Sequence, residues 1–271
     1  MSPFPGCLLF FGLLYCGLPA QAQPIPPGFN PFLLPPLPAD APKPSPDPRN
    51  LEGAWYHQDM MEVFLTKTMR GDPVPMNDKA KALLRERADA DKSGRPWANA
   101  AVRCRPPGPI WQRDINFPFA VLQRPDEIDF LFEEFHGVWK IRMNQPHRSS
   151  GQRAFMGDSV GHWEGDSLVV DTTDFKDISW VDSDVTGAPL SRNAHLVDRI
   201  RKIDGDDGPA LSVITTIDDP AYFTAPWSIS RKFIWRPDKT IFAEYDCEDV
   251  VGRPDGISRY GLVDEPRRGE K

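Results

Sequence analysis

Gly157-Asp-Ser-Val-Gly-His-Trp-Glu-Gly-Asp-Ser-Leu-Val-Val-Asp-Thr-Thr-Asp174 decides the fold. Val160, His162 and Glu164 alternate with Gly161 and Trp163. Leu168, Val169 and Val170 then resume an apolar run beyond Glu164-Gly165-Asp166. Alternation on both sides of a Gly-containing turn is the pattern of a β-hairpin. Working outward, the same kind of segment recurs. Upstream, strands are expected at Leu51 to Trp55, Phe117 to Gln123, Ile128 to Phe132 and Trp139 to Met143. Downstream they are expected at His195 to Ile203, Leu211 to Ile217, Trp227 to Trp235 and Thr240 to Cys247, the last two joined by Arg-Pro-Asp-Lys.

One helix breaks the series. Behind Asn77 or Asp78 as a cap, Ala80, Leu83, Leu84 and Arg87 fall at helical spacing, with Lys79, Lys81, Arg85 and Arg87 read as a solvated face. Roughly nine to eleven short strands and one short helical insertion call for an all-β domain, either a sandwich or a closed barrel. Arg231 lies on a face with Trp227, Ile229, Phe233 and Trp235, and the parity of Phe130 and Phe132 runs on to Glu134 and His136. Polar groups among inward aromatics cost a few kcal/mol each in a dry sandwich unless paired. A single antiparallel, lipocalin-like barrel around a ligand cavity gives them partners, and Trp55 is placed to plug its base.

The ends are of another composition. Cys7 to Leu18 is an apolar run followed by Ala20-Gln21-Ala22, which reads as a signal peptide over 1–22, although no Lys or Arg precedes it. A bilayer span needs roughly 20 apolar residues, so a membrane anchor is the weaker alternative and no stable span is expected after signal removal. The chain is therefore expected to be periplasmic or secreted. Thirty prolines among 271 residues crowd towards 23–50, giving a semi-rigid tether or a partner-docking segment. The barrel domain then spans 51–262, and the charged end, 263–271, is expected to be a disordered tail.

Signal removal leaves Cys104 and Cys247, which pair in an oxidising compartment or remain as two buried thiols. The net charge of −7, without a Lys/Arg run, argues against nucleic acid as a partner.

Gly161-His-Trp-Glu-Gly-Asp-Ser-Leu-Val-Val-Asp-Thr172, Thr216-Ile-Asp-Asp-Pro-Ala-Tyr222 with Trp227 beyond it, and Glu244-Tyr-Asp-Cys-Glu248 resemble a family. It is a group of exported, mainly proteobacterial proteins that share GHWEGDTLVVDT, TIDDPxxYTxPW and EYxCxEN patterns. The match covers about residues 51–250, with Ser167 for Thr, Phe223 after Tyr222 and Asp249 where Asn is usual. The resemblance implies export and adds no reaction.

The candidate chemistry is proton transfer. His136, His162 and His195 fall in expected strands, and an imidazole beside a carboxylate serves as general acid or base. Glu164 and Arg142 complete the candidate catalytic set. Glu134, Asp171, Arg199, Tyr222, Trp227 and Trp235 are the candidate ligand contacts, and Arg142 or Arg199 would steady developing negative charge. Each has a plain structural alternative: a turn residue, a strand cap or core packing. No HxH, HExxH or paired-Cys spacing and no phosphate-binding glycine loop is present, so no cofactor and no metal ligands are assigned; Gly157-Asp-Ser-Val-Gly161 has the letters of GxSxG but falls within an expected hairpin strand and not at a strand-to-helix turn, so Ser159 is not assigned as a nucleophile. The leading expectation is a barrel binding a small apolar or aromatic molecule, with cofactor-free lyase, isomerase or hydratase action if it is an enzyme. A non-catalytic envelope or interaction protein and a metal-dependent enzyme with a His-rich site are the alternatives.

Overall fold

The computed structural model describes residues 34–57, 67–93, 105–115, 117–148, 151–176, 179–181, 188–206 and 208–239. The expected signal peptide, the first part of the expected tether, Cys104, Cys247, the expected strand at 240–247 and the charged tail lie outside the described residues.

Among the described residues eleven strands and two α-helices follow one another: β1 (Gly53–Tyr56), α1 (Asp78–Lys92), α2 (Pro109–Asp114), β2 (Phe119–Gln123), β3 (Glu127–Phe132), β4 (Val138–Met143), β5 (Asp158–Glu164), β6 (Ser167–Thr173), β7 (Ser179–Trp180), β8 (Pro189–Leu190), β9 (His195–Gly205), β10 (Gly208–Asp218) and β11 (Trp227–Trp235). Nine of the strands close a barrel in the order β1-β11-β10-β9-β6-β5-β4-β3-β2, while β7 and β8 pair separately. Trp55 opposite Trp235 and opposite Phe119 seals the ring through β1. The central hairpin stands as expected: Glu164 faces Ser167 across a two-residue turn in which Gly165 has φ 58°. Glycine takes that conformation without the penalty a Cβ brings.

One pairing corrects the antiparallel expectation, because β4 and β5 run parallel. Parallel neighbours need a crossover of a dozen or more residues, and the segment 144–157 is long enough to carry the chain back along the wall before β5 begins. That return also lays the loop beyond β4 over the outer face.

The described interior is filled with side chains. Trp55, Phe119, Phe130, Trp139, Ile141, Leu168, Val170, Leu211 and Phe233 belong to one buried cluster, with Phe119 5.1 Å from Phe233 and Trp139 5.0 Å from Phe130 between ring centres. A second cluster gathers Ile110, Phe175, Leu196, Ile217, Tyr222, Phe223, Trp227 and Ile229.

The same strands carry buried ion pairs. Arg113 from α2 donates to Asp198 Oδ1 at 2.9 Å and to Thr215 at 3.0 Å, and its guanidinium lies 4.9 Å from the Trp139 ring centre. Arg231 donates to Asp114 at 2.8 Å. Beside them Trp139 Nε1 donates to Ser159, which shares a hydrogen bond with Thr172. The puzzle of Arg231 among aromatics is thus resolved by a carboxylate from α2, not by a ligand cavity. This helix is not expected from the sequence because it starts inside Pro106-Pro-Gly-Pro109, where Pro109 fits a first helical turn.

Two surface expectations also change. Residues 34–50 do not stand off as a tether but strap the barrel: Trp235 Nε1 donates to Pro42 O at 2.7 Å, Arg236 to Pro35 O at 2.8 Å and Gln123 to Arg49 O at 2.9 Å. Lys202 adds donations to the Ser45 and Asp47 carbonyls. On α1, Asn77 Oδ1 caps the helix by accepting from the Ala80 amide at 3.0 Å. Arg87 is not solvated: it is buried, with its guanidinium 3.9 Å from the Trp180 ring centre. Among the described residues no helix is long and apolar enough to cross a membrane.

Candidate functional site

Successive residues of a strand point to opposite faces, and the residues that fill the barrel fix which of them point out. Arg142 on β4 pairs with Val160 on β5, Val160 with Asp171 on β6, and Asp171 with Val197 on β9. These belong to the set opposite Ile141, Gly161, Val170 and Leu196, so they form a row on the outer wall. Asp158, His162, Glu164, His195 and Arg199 share that face. The sequence reading expected these imidazoles and carboxylates to line a hollow; they stand on the outside instead, because their parity is opposite to that of the packed aromatics.

They are nevertheless gathered. Asp158, 7% exposed, accepts from Arg142 Nη2 at 3.0 Å and from the Arg148 amide at 2.9 Å. Arg142 also donates to Pro146 O at 3.1 Å, which holds the loop beyond β4 in place. His147 on that loop reaches Asp158 with Nδ1 at 3.0 Å and Asp171 Oδ1 with Nε2 at 2.9 Å. Asp171 Oδ2 in turn lies 2.7 Å from His195 Nε2. The result is an unbroken chain, Arg142, Asp158, His147, Asp171, His195, from a nearly buried end to a half-exposed one. Burial pushes the Asp158 carboxyl up, but the Arg148 amide, His147 and Arg142 outweigh it and bring it below its ordinary value.

A second, looser knot sits further along β5. Glu164 accepts from Arg199 at 2.6 Å and meets His162 Nε2 at 3.1 Å, with all three side chains about half exposed. Arg199 first, and His162 with it, holds the Glu164 carboxyl below the usual range.

The remaining expected residues are dispersed. Glu134 and His136 are not on a strand: β3 ends at Phe132, and a short 3-10 turn, Glu134–His136, follows with Phe135 and His136 at φ 57° and 46°. Tyr222 is buried below α1, with Lys79 Nζ 4.9 Å from its ring centre. Burial, then Asp219, pushes its hydroxyl up. Trp227 is buried in the second cluster, and Trp235 lies at the strapped end.

The structure adds His147 and Asp158 to the array. Neither stood out in the sequence, since His147 sits in a proline-containing loop and only the parallel crossover brings it over β5 and β6. Asp198 is a carboxylate on an expected strand, but it meets Arg113 inside the barrel and not a histidine, and Arg113 was masked by an unrecognised helix.

Chemically, a carboxylate that holds one imidazole nitrogen leaves the other to act. With Nε2–H of His195 donated to Asp171, Nδ1 carries the lone pair and makes no hydrogen bond among the described residues. His147 lies between the Asp158 and Asp171 carboxylates, so its ring helps hold in place the carboxylate that orients His195. Among the described residues no group of three or more His, Cys, Asp or Glu is arranged to hold a metal ion. Comparison with family models, with curated proteins and with solved structures found no match.

Proposed function

We propose that this is an exported β-barrel enzyme, periplasmic or secreted, that moves a proton on a small apolar or aromatic molecule without a cofactor, in the manner of a lyase, isomerase or hydratase. The observation that carries it is Asp171 between two imidazoles, with His195 half exposed and one ring nitrogen uncommitted. His195 is the general base, Asp171 fixes its tautomer, and His147, Asp158 and Arg142 are positioning residues that hold Asp171. Arg142 and Arg199 have carboxylate partners of their own, so neither is assigned to developing negative charge. The packed interior favours this outer-wall site over a lipocalin-like hollow. The resemblance to exported proteobacterial proteins supports the location.

The test uses 5-nitrobenzisoxazole, a flat aromatic whose C3–H is taken by a base while its N–O bond breaks, giving a nitrile and a coloured phenolate. The purified mature chain is expected to open it faster than an equal concentration of free imidazole, and His195→Ala to lose that excess. A His195→Ala protein as fast as the parent would remove the assignment.

The non-catalytic envelope protein is the second reading, favoured by the same packed interior. It expects no excess rate in that assay.

A further inference from the structure

The segment between β1 and α1 meets the start of β11 around a cavity of about 420 Å³. Small-molecule sites run from roughly 300 to 1,000 Å³, so its size suits a molecule of one or two rings. The cavity is built rather than incidental. Met69 donates its amide to Ser228 O at 2.7 Å, Thr224 donates to Pro75 O at 2.8 Å, and Met76 bridges to Phe223. Those ties fix both walls before anything binds.

The walls state the chemistry. Met69, Pro75 and Pro226 offer a thioether and two saturated rings, and Trp227 adds an indole held edge-on to Phe223 with 5.2 Å between ring centres. Thioethers and indoles favour flat aromatic partners. Arg70 and Asp72 stand at the same cavity with opposite charges, and neither is ion-paired among the described residues. Their charges cancel, which favours an uncharged ligand that offers a hydroxyl or carbonyl.

This cavity is separate from the outer-wall array. Asp171, Val197, Thr216 and Ser228 lie on one register row across β6, β9, β10 and β11. Three strand steps of a nine-stranded ring turn the wall by about 120°. One small molecule does not reach both.

We propose that the cavity walled by Met69, Pro226 and Trp227 is a second binding site, for a neutral flat aromatic molecule carrying one hydrogen-bonding oxygen. Calorimetric titration of the full mature chain with 2-naphthol tests it. One site per chain is expected, weakened at least tenfold by Ala225→Trp, which fills the cavity, and by Met69→Asp, which places a charge in its wall. Ala225→Trp is also expected to keep the parent rate on 5-nitrobenzisoxazole, so this site stands or falls apart from His195. Absence of saturable binding, or binding that neither substitution changes, overturns the proposal.

Discussion

Asp171 holds two imidazoles at once, His147 Nε2 at 2.9 Å on one oxygen and His195 Nε2 at 2.7 Å on the other. Asp171→Asn keeps the shape but turns one acceptor into a donor. A positioned acid–base group contributes about 10²–10⁴-fold, so the rate on 5-nitrobenzisoxazole is expected to fall at least tenfold. Asp171 is 39% exposed, and the melting temperature is expected to move little. Rate and melting curve measured on one preparation separate this from general damage.

The interior ion pairs make the opposite prediction. Asp198→Ala leaves the Arg113 guanidinium buried without its carboxylate, and removing one partner of a buried pair costs about 3–5 kcal/mol. Replacing both, as Arg113→Met with Asp198→Leu, is expected to cost less than the single change. Urea unfolding of the three proteins measures the order.

A packed interior can be probed from the hairpin itself. A Cβ added at Gly161 would lie 2.7 Å from Ile141 Cγ2 and 3.1 Å from Met143 Sδ. Gly161→Leu is therefore expected to destabilise by about 1–3 kcal/mol or more, the range for overpacking. An equally stable variant in chemical denaturation would mean that the barrel has room there.

Acid should loosen the array through Asp158. Its carboxyl is held below the ordinary value, so it contributes stability above the unfolded value of about 3.9 and loses it as pH falls through the lower folded one. Glu127 and Asp238 are lowered too, by Arg124 and by Arg236 first. Melting temperature followed from pH 6 to pH 3 is expected to fall less steeply in Asp158→Asn than in the parent.

The strands were legible because alternation is local: every expected strand among the described residues is present, and the central hairpin has its expected turn. Closure into a barrel was inferred from Arg231 among aromatics, although the reason given for it was wrong. Its partner, Asp114, is 117 positions away on a helix begun by prolines, and no local pattern announces such a pairing. The site was legible as a set of residue types and not as a place. His195, Asp171 and Arg142 were named, but which side of the wall they face depends on which parity the aromatics claim. His147 joins them only because β5 runs parallel to β4, a choice of topology that leaves no mark in the residues of either strand.

The seam at Trp55 and Trp235 sets a timetable for the molecule's birth. The first stave of the ring waits for the last one, so during synthesis no complete cylinder exists until residue 235 has left the ribosome. Contacts this distant along the chain form slowly. Until then the wall is an open sheet whose two edges are β1 and the strand made last, and each exposed edge is a row of unpaired backbone groups.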